Sequence, residues 1–203
     1  MDQLKYYAII FLLLFYSCDT RRNAIGADNE LMVLASDKHK RIAVSFLQKI
    51  FNDTIFTPQP EPVYKIKFAK PENFSKLKRQ SNLVILSLGN DIRNSGTKLT
   101  RKLLGKKKFL KTIFNDNHII LSENQFAKNQ LFMIISAPDE QLLMESLFGQ
   151  KKWIKSLYEE KYDRRQSTYL FRDARQTDFE NSLMDRYSWK IKIPWGWEKI
   201  KEN

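Results

Sequence analysis

The sequence predicts an α/β or α+β domain: a single mixed sheet of about five to six strands with helices packed on it, then a long C-terminal helix followed by a short strand. Three observations carry this. The uncharged runs "ELMVLAS", "NLVILSL" and "LFMIISA" have the length and composition of buried strands. Stretches with helical periodicity lie between them. Glycine and proline are scarce, at six each in 203 residues, which disfavours repeats, propellers and long linkers.

Each element follows from its residues. Residues 30–36 form the first strand, and Ser36 and Asp37 suit the cap of the helix after it. Over 40–51, Ala43, Phe46, Leu47 and Ile50 share one helical face, with Lys40, Arg41, Gln48 and Lys49 elsewhere. The three prolines of "TPQPEP" (57–62) remove amide donors and exclude a helix or a central strand. "VYKIKFA" (63–69) alternates as a half-exposed strand, and Pro71 opens a short helix over 71–79. The charge-free "NLVILSL" (82–88) belongs at the centre of the sheet. Residues 90–98 read as loop, and 99–115 as helix broken at Gly105. "HIILS" (118–122) and "LFMIISA" (131–137) are further strands. Pro138 and Asp139 open a helix that pauses at Gly149 and continues from about 151 into the 180s. "SWKIKIP" (188–194) alternates like a strand.

The N-terminus points to export. Residues 6–16 are eleven consecutive apolar or aromatic positions with no polar face. A bilayer span needs about 20 such residues, whereas the apolar core of a secretory signal takes roughly 7–15. Ser17 and Cys18, the only cysteine, follow at once. A lone cysteine in an exported chain cannot close an internal disulfide. "FYSC" resembles a bacterial lipobox, in which the cysteine thiol takes a diacylglyceryl group and a peptidase cuts before it; Phe15 and Tyr16 stand where Leu and a small residue are commoner. Cys18 is therefore the expected lipidation site and membrane anchor. The expected organisation is a signal over 1–17, a lipid-anchored flexible tether over 18–29, an α/β domain over 30–187, and a terminal strand over 188–203 that would begin a missing second segment.

Charge marks the next candidates. The chain carries a formal net charge of +12, and "KLTRKLLGKKKFLK" (98–111) holds Lys98, Arg101, Lys102, Lys106, Lys107, Lys108 and Lys111 without an acid. Such a run could neutralise phosphates. In an exported protein these belong to phospholipid or lipopolysaccharide, so nucleic acid is a partner only if residues 1–17 are not a signal. A solvated basic surface with no partner is the plainer reading. A second basic set spans Lys65 to Arg79, and a third holds Arg164, Arg165, Arg172 and Arg175. The spacing of Gly96 and Gly105 excludes a phosphate-binding loop, and Lys107 stands where its Ser or Thr would be. His39 and His118, the only histidines, have no second metal ligand at a useful spacing, and no cofactor motif is present. Trp189, Trp195 and Trp197 with Tyr187 gather near the C-terminus, as a sugar platform or as cover for the sheet end. "DTI" (53–55) matches a short O-glycosylation signal, which flags Thr54.

Taken together, "PQPEPVYKIKFAKPENF", "NLVIL", "FAKNQLFMIISAPDEQ" and "YSWKIKIPWGW" resemble an uncharacterised lipoprotein family of Bacteroidota, a domain of unknown function, over residues 26–197. The resemblance implies a lipoprotein signal and an α/β fold, and no catalytic residue. Members usually continue past the "IP" segment, which implies a truncated or divergent member. The leading expectation is a lipid-anchored cell-envelope protein with a binding or structural role. Two alternatives stay open: an exported enzyme acting on envelope glycans or lipids, and a polyanion- or nucleic-acid-binding protein if the N-terminus is not a signal.

Overall fold

A computed structural model describes residues 20–200 apart from 57, 116 and 199; the expected signal and Cys18 lie outside the described residues. In chain order the elements are β1 (Glu30–Ala35), α1 (Asp37–Ile50), β2 (Thr54–Phe56), β3 (Pro60–Pro62), β4 (Lys65–Ala69), a 3-10 turn (Pro71–Asn73) and α2 (Phe74–Leu77). There follow β5 (Asn82–Leu88), α3 (Ser95–Phe114), β6 (Ile119–Glu123), β7 (Leu131–Ala137), α4 (Glu140–Leu170) and α5 (Thr177–Tyr187). The mixed five-stranded sheet has the order β4-β1-β5-β7-β6. Its first four strands are parallel and β6 is antiparallel to β7. β2 and β3 form a separate antiparallel ribbon.

Position in the sheet follows composition. β5 and β7 are buried at every residue, as uncharged runs covered on both faces must be. β4 lies at an edge, where Lys65 and Lys67 reach water. On one face, Leu31, Val33, Val84, Leu86, Met133 and Ile135 pack under Phe46, Leu47 and Ile50 of α1 and Leu143, Leu147 and Ile154 of α4. On the other, Leu34, Leu83, Ile85, Phe132 and Ile134 pack under Leu99, Leu103 and Leu104 of α3 and Phe74 and Leu77 of α2. The alternation within each strand divides its side chains between these two cores.

Helix α3 is two pieces. Gly105 has φ 73° and ψ 161°, a conformation glycine adopts readily. Thr100 Oγ1 is hydrogen-bonded to Ser87 Oγ (3.0 Å) and Thr112 Oγ1 to Ser136 Oγ (2.7 Å), while Ser87 and Ser136 are register partners on adjacent strands. Both halves of α3 therefore return to the same level of the sheet, and Gly105 forms the corner between them.

Three segments depart from the expectations drawn from sequence. Helix α4 runs through Gly149 without a pause and ends at Leu170, and a separate α5 follows. Residues 188–194 do not form a strand. The Ile193 amide donates to Glu180 Oε1 (2.7 Å) and the Ile193 carbonyl accepts from the Gln176 amide (3.1 Å), so this alternating segment packs on α5 rather than on a sheet edge. The polar stretch expected as tether is stitched to the domain from residue 22 onward. Lys128 N donates to Arg22 O, Ala24 N to Lys128 O, Ile25 N to Arg79 O and Ser81 N to Ile25 O, all at 2.8–2.9 Å. Polar side chains there face water while the backbone pairs, a pattern that apolar periodicity does not register.

At the edge of the larger core, Tyr158 packs on Phe51 (centroids 4.9 Å) and Tyr64 (6.3 Å). Its hydroxyl is buried with no hydrogen-bond partner, and burial pushes its pKa up. An unsatisfied buried hydroxyl costs about 1–3 kcal/mol. Tyr158→Phe keeps the ring contacts and removes that cost. Urea unfolding should show stability unchanged or raised by about 1 kcal/mol; a clear loss would reveal a bond to the hydroxyl.

Candidate functional site

In a doubly wound sheet the usual ligand crevice lies outside the carboxyl ends of the strands, where strand order reverses. Here that point falls between β1 and β5, at the starts of α1 and α3. Asn94 Nδ2 donates to Ser36 Oγ (2.9 Å), and Asn94 Oδ1 accepts from the Gly96 and Thr97 amides (3.0 and 3.2 Å). One side chain thus caps α3 and bridges the crevice. Gly96 fits because a Cβ there would lie 3.1 Å from Leu86 O. The sequence hint was "NSG", a cap followed by a residue without Cβ, inside a stretch read as loop.

The seven expected cations all lie on α3. Lys98, Lys102, Lys106, Lys107, Lys108 and Lys111 are exposed and Arg101 is partly so. Helix α3 carries no acid, and none of the seven enters an ion pair among the described residues. Lys106–Lys108 follow the Gly105 corner directly. Exposed Lys76 lies in α2 and exposed Lys78 caps its end; Phe74 and Leu77 of α2 share the α3 core, so these cations belong to the same layer.

The other basic sets are largely consumed by the fold. Lys67 pairs with Glu30 (2.6 Å) and Lys70 with Asp37 (3.2 Å). Buried Lys161 pairs with Glu123 (2.6 Å), and that hydrogen bond holds the Glu123 carboxyl below its ordinary range. Arg164 pairs with Glu160 one turn away (3.0 Å). Arg165, with its side chain 9% exposed, donates to Asn82 Oδ1 (3.0 Å), Ser81 O (2.9 Å) and Asn129 O (2.6 Å), and lies 3.5 Å from Asp28. Arg175 pairs with buried Glu180.

The aromatic residues near the C-terminus do not cover the sheet. Trp189, Trp195 and Trp197 are 60, 68 and 63% exposed, and Tyr187 stacks on Trp189 at 5.3 Å. A pocket of about 360 Å³ lies beside Trp197, lined by Phe171, Phe179, Leu183 and Ile193, with Glu198 as its carboxylate. Thr54 is exposed on the β2–β3 ribbon. Among the described residues no three of His, Cys, Asp and Glu gather as metal ligands.

Both histidines are buried and act locally. His118 Nδ1 lies 2.8 Å from Thr112 O and, bonded there, must carry the proton. His39 Nδ1 accepts from the Leu88 amide (3.4 Å), and burial, then Lys38, holds its pKa below the ordinary 6.5. Below pH 6.5 the unfolded chain therefore binds a proton that the folded chain resists, so stability falls as pH drops through 6.5. His39→Asn keeps an acceptor without a titrating ring. Urea unfolding across pH should show a flatter decline between 6.5 and the carboxylate range in that variant; equal slopes would exclude His39 as the cause.

Comparison with known proteins returns one family. No curated protein and no solved structure matches the chain. Residues 24–170, which take in the sheet, α1 to α4 and the Arg22–Asp28 segment from Ala24 on, match the family described as Domain of unknown function (DUF8532), and the chain belongs to that family.

Proposed function

We propose that the protein is a lipid-anchored cell-envelope protein, held to the membrane by acylated Cys18, whose α/β domain binds rather than catalyses. Its ligand at α3 is the phosphate of anionic lipid or lipopolysaccharide. The observation that carries this is the charge of α3: seven cations with no acid on the helix and no ion pair among the described residues, while Arg165, Lys161 and Arg175 are spent on internal contacts. Uncancelled surface cations near a membrane are each worth about 1 kcal/mol against anionic lipid. No helix among the described residues is long and apolar enough to cross a membrane. Exposed Thr54 remains the candidate O-glycan acceptor.

The pocket beside Trp197 favours a second reading, an exported enzyme acting on envelope glycans or lipids. Glycoside hydrolysis ordinarily takes two carboxylates, and this pocket offers Glu198 alone.

Two measurements test the proposal. Radiolabelled palmitate should enter the wild type and not Cys18→Ala; an unlabelled wild type overturns the anchor. Full-length Cys18→Ala should sediment with phosphatidylglycerol vesicles in preference to phosphatidylcholine vesicles. Joint reversal of Lys106, Lys107 and Lys108 to Glu should cut that preference by about a hundredfold or more, at about 1 kcal/mol per charge. An unchanged preference overturns the role of α3, and equally tight, salt-sensitive DNA binding would favour the nucleic-acid reading.

A further inference from the structure

Three features meet at the end of the sheet where the parallel strands begin. The first is where the chain joins the fold. Arg22 O is bonded to Lys128 N, and the Arg21 guanidinium donates to Asn124 O. Cys18 precedes Arg22 by four residues, a reach of about 14 Å. The tether is thus a few residues long, and this end of the sheet stays close to whatever holds Cys18.

The second is the course of α4. It starts after the carboxyl end of β7 and runs back along the sheet until Arg165 grips Ser81 O and Asn129 O, just ahead of β5 and β7. At a rise of 1.5 Å per residue, Phe171 lies about 9 Å further on, so the helix projects past the sheet at the end where the chain joins.

The third is what caps that projection. Residues 171–198, outside the family-matched region, fold onto α5 and the end of α4. Glu180 takes the Ile193 amide and Gln176 donates to Pro194 O (3.3 Å) and Trp197 O. The backbone is fastened, yet Trp189, Trp195, Trp197 and Ile191 stay exposed, with Lys190 and Lys192 interleaved among them in sequence. A tail held in place with its tryptophans facing outward is a surface prepared for contact. Tryptophan interleaved with lysine suits the headgroup layer of an anionic bilayer, where the indole takes the interface and the ammonium groups meet phosphates. A sugar platform would set the rings around one concavity, and the pocket beside Trp197 is lined by neither Trp189 nor Trp195.

We propose that this end of the molecule is a bilayer-docking face, in which Trp189, Trp195 and Trp197 enter the headgroup region and Lys190 and Lys192 neutralise lipid phosphates. Its proximity to the membrane rests on acylation of Cys18 as proposed above; the aromatic contact does not.

Tryptophan emission tests it directly, because all four tryptophans lie between Trp153 and Trp197 and residues 1–19 contain none. Full-length protein is added to equimolar phosphatidylcholine and phosphatidylglycerol vesicles carrying bromine on the acyl chains. The expected result is a blue shift with quenching, weaker on phosphatidylcholine alone. The joint change of Trp189, Trp195 and Trp197 to Ala should abolish the quenching and leave the unquenched emission of Trp153, with circular dichroism confirming the fold. Lys190→Glu with Lys192→Glu keeps the rings and should weaken quenching on the anionic vesicles alone. Wild-type protein that sediments with vesicles but is not quenched overturns the docking face, as does quenching that survives the triple change. An emission shift with soluble oligosaccharide and none with vesicles would assign the rings to glycan instead. Quenching without palmitate label would sink the acyl anchor and leave the face standing; label without quenching would do the reverse.

Discussion

The guanidinium of Arg165 is the contact on which the rest of the arrangement depends. It reaches from the end of α4 to the carbonyls ahead of β5 and β7, to the Asn82 amide oxygen, and to Asp28 in the N-terminal segment. Asn82 Nδ2 in turn holds Asp28 O (2.8 Å) and Glu30 O (3.1 Å), and Gln166 Nε2 holds Asp28 Oδ2 (3.0 Å). Four parts of the chain are fixed to one planar group. Burial pulls the Arg165 pKa down, and nearby Asp28 opposes this. A buried cation of this kind is tolerable because its donors are satisfied and a carboxylate stands beside it. The flat fork of an arginine can meet several acceptors at once, which a lysine ammonium in the same place cannot.

From this contact the two ends of the chain acquire a relation to one another. The start of the fold at Arg22 and the projecting end of α4 lie at the same end of the sheet, and the α5 tail is built on that projection. The opposite end is closed by Asn94, which bridges Ser36 and the first turn of α3 where such folds usually open a ligand crevice. The cationic corner of α3 and the aromatic tail are both exposed.

Much of the sheet was legible because its strands announce themselves locally. "NLVILSL" and "LFMIISA" carry no charge and are buried throughout. Ala43, Phe46, Leu47 and Ile50 repeat at helical spacing and are fully buried in α1. The Gly105 break in α3 was legible for the same reason. The tail was misread because "SWKIKIP" alternates as a strand does, while its partners, Glu180 and Gln176, belong to α5 and its N-cap. The end of the tether was misread because Arg22 to Asp28 bind through backbone groups and through Asn82, which composition cannot reveal. Among the basic clusters, the count of charges was readable but their fate was not. Arg165 and Asp28 are remote in sequence, and only the folded chain separates such spent cations from the unspent ones of α3.

Arg165 locks the N-terminal segment and the end of α4 to the same end of the sheet. Native-state hydrogen exchange on Arg165→Lys tests it most directly. The amides of Ala24, Ile25, Ser81 and Lys128, all bonded along this seam, should lose protection together, with global stability lower by about 3 kcal/mol. Wild-type protection at those amides, with a stability change below about 0.5 kcal/mol, would contradict it.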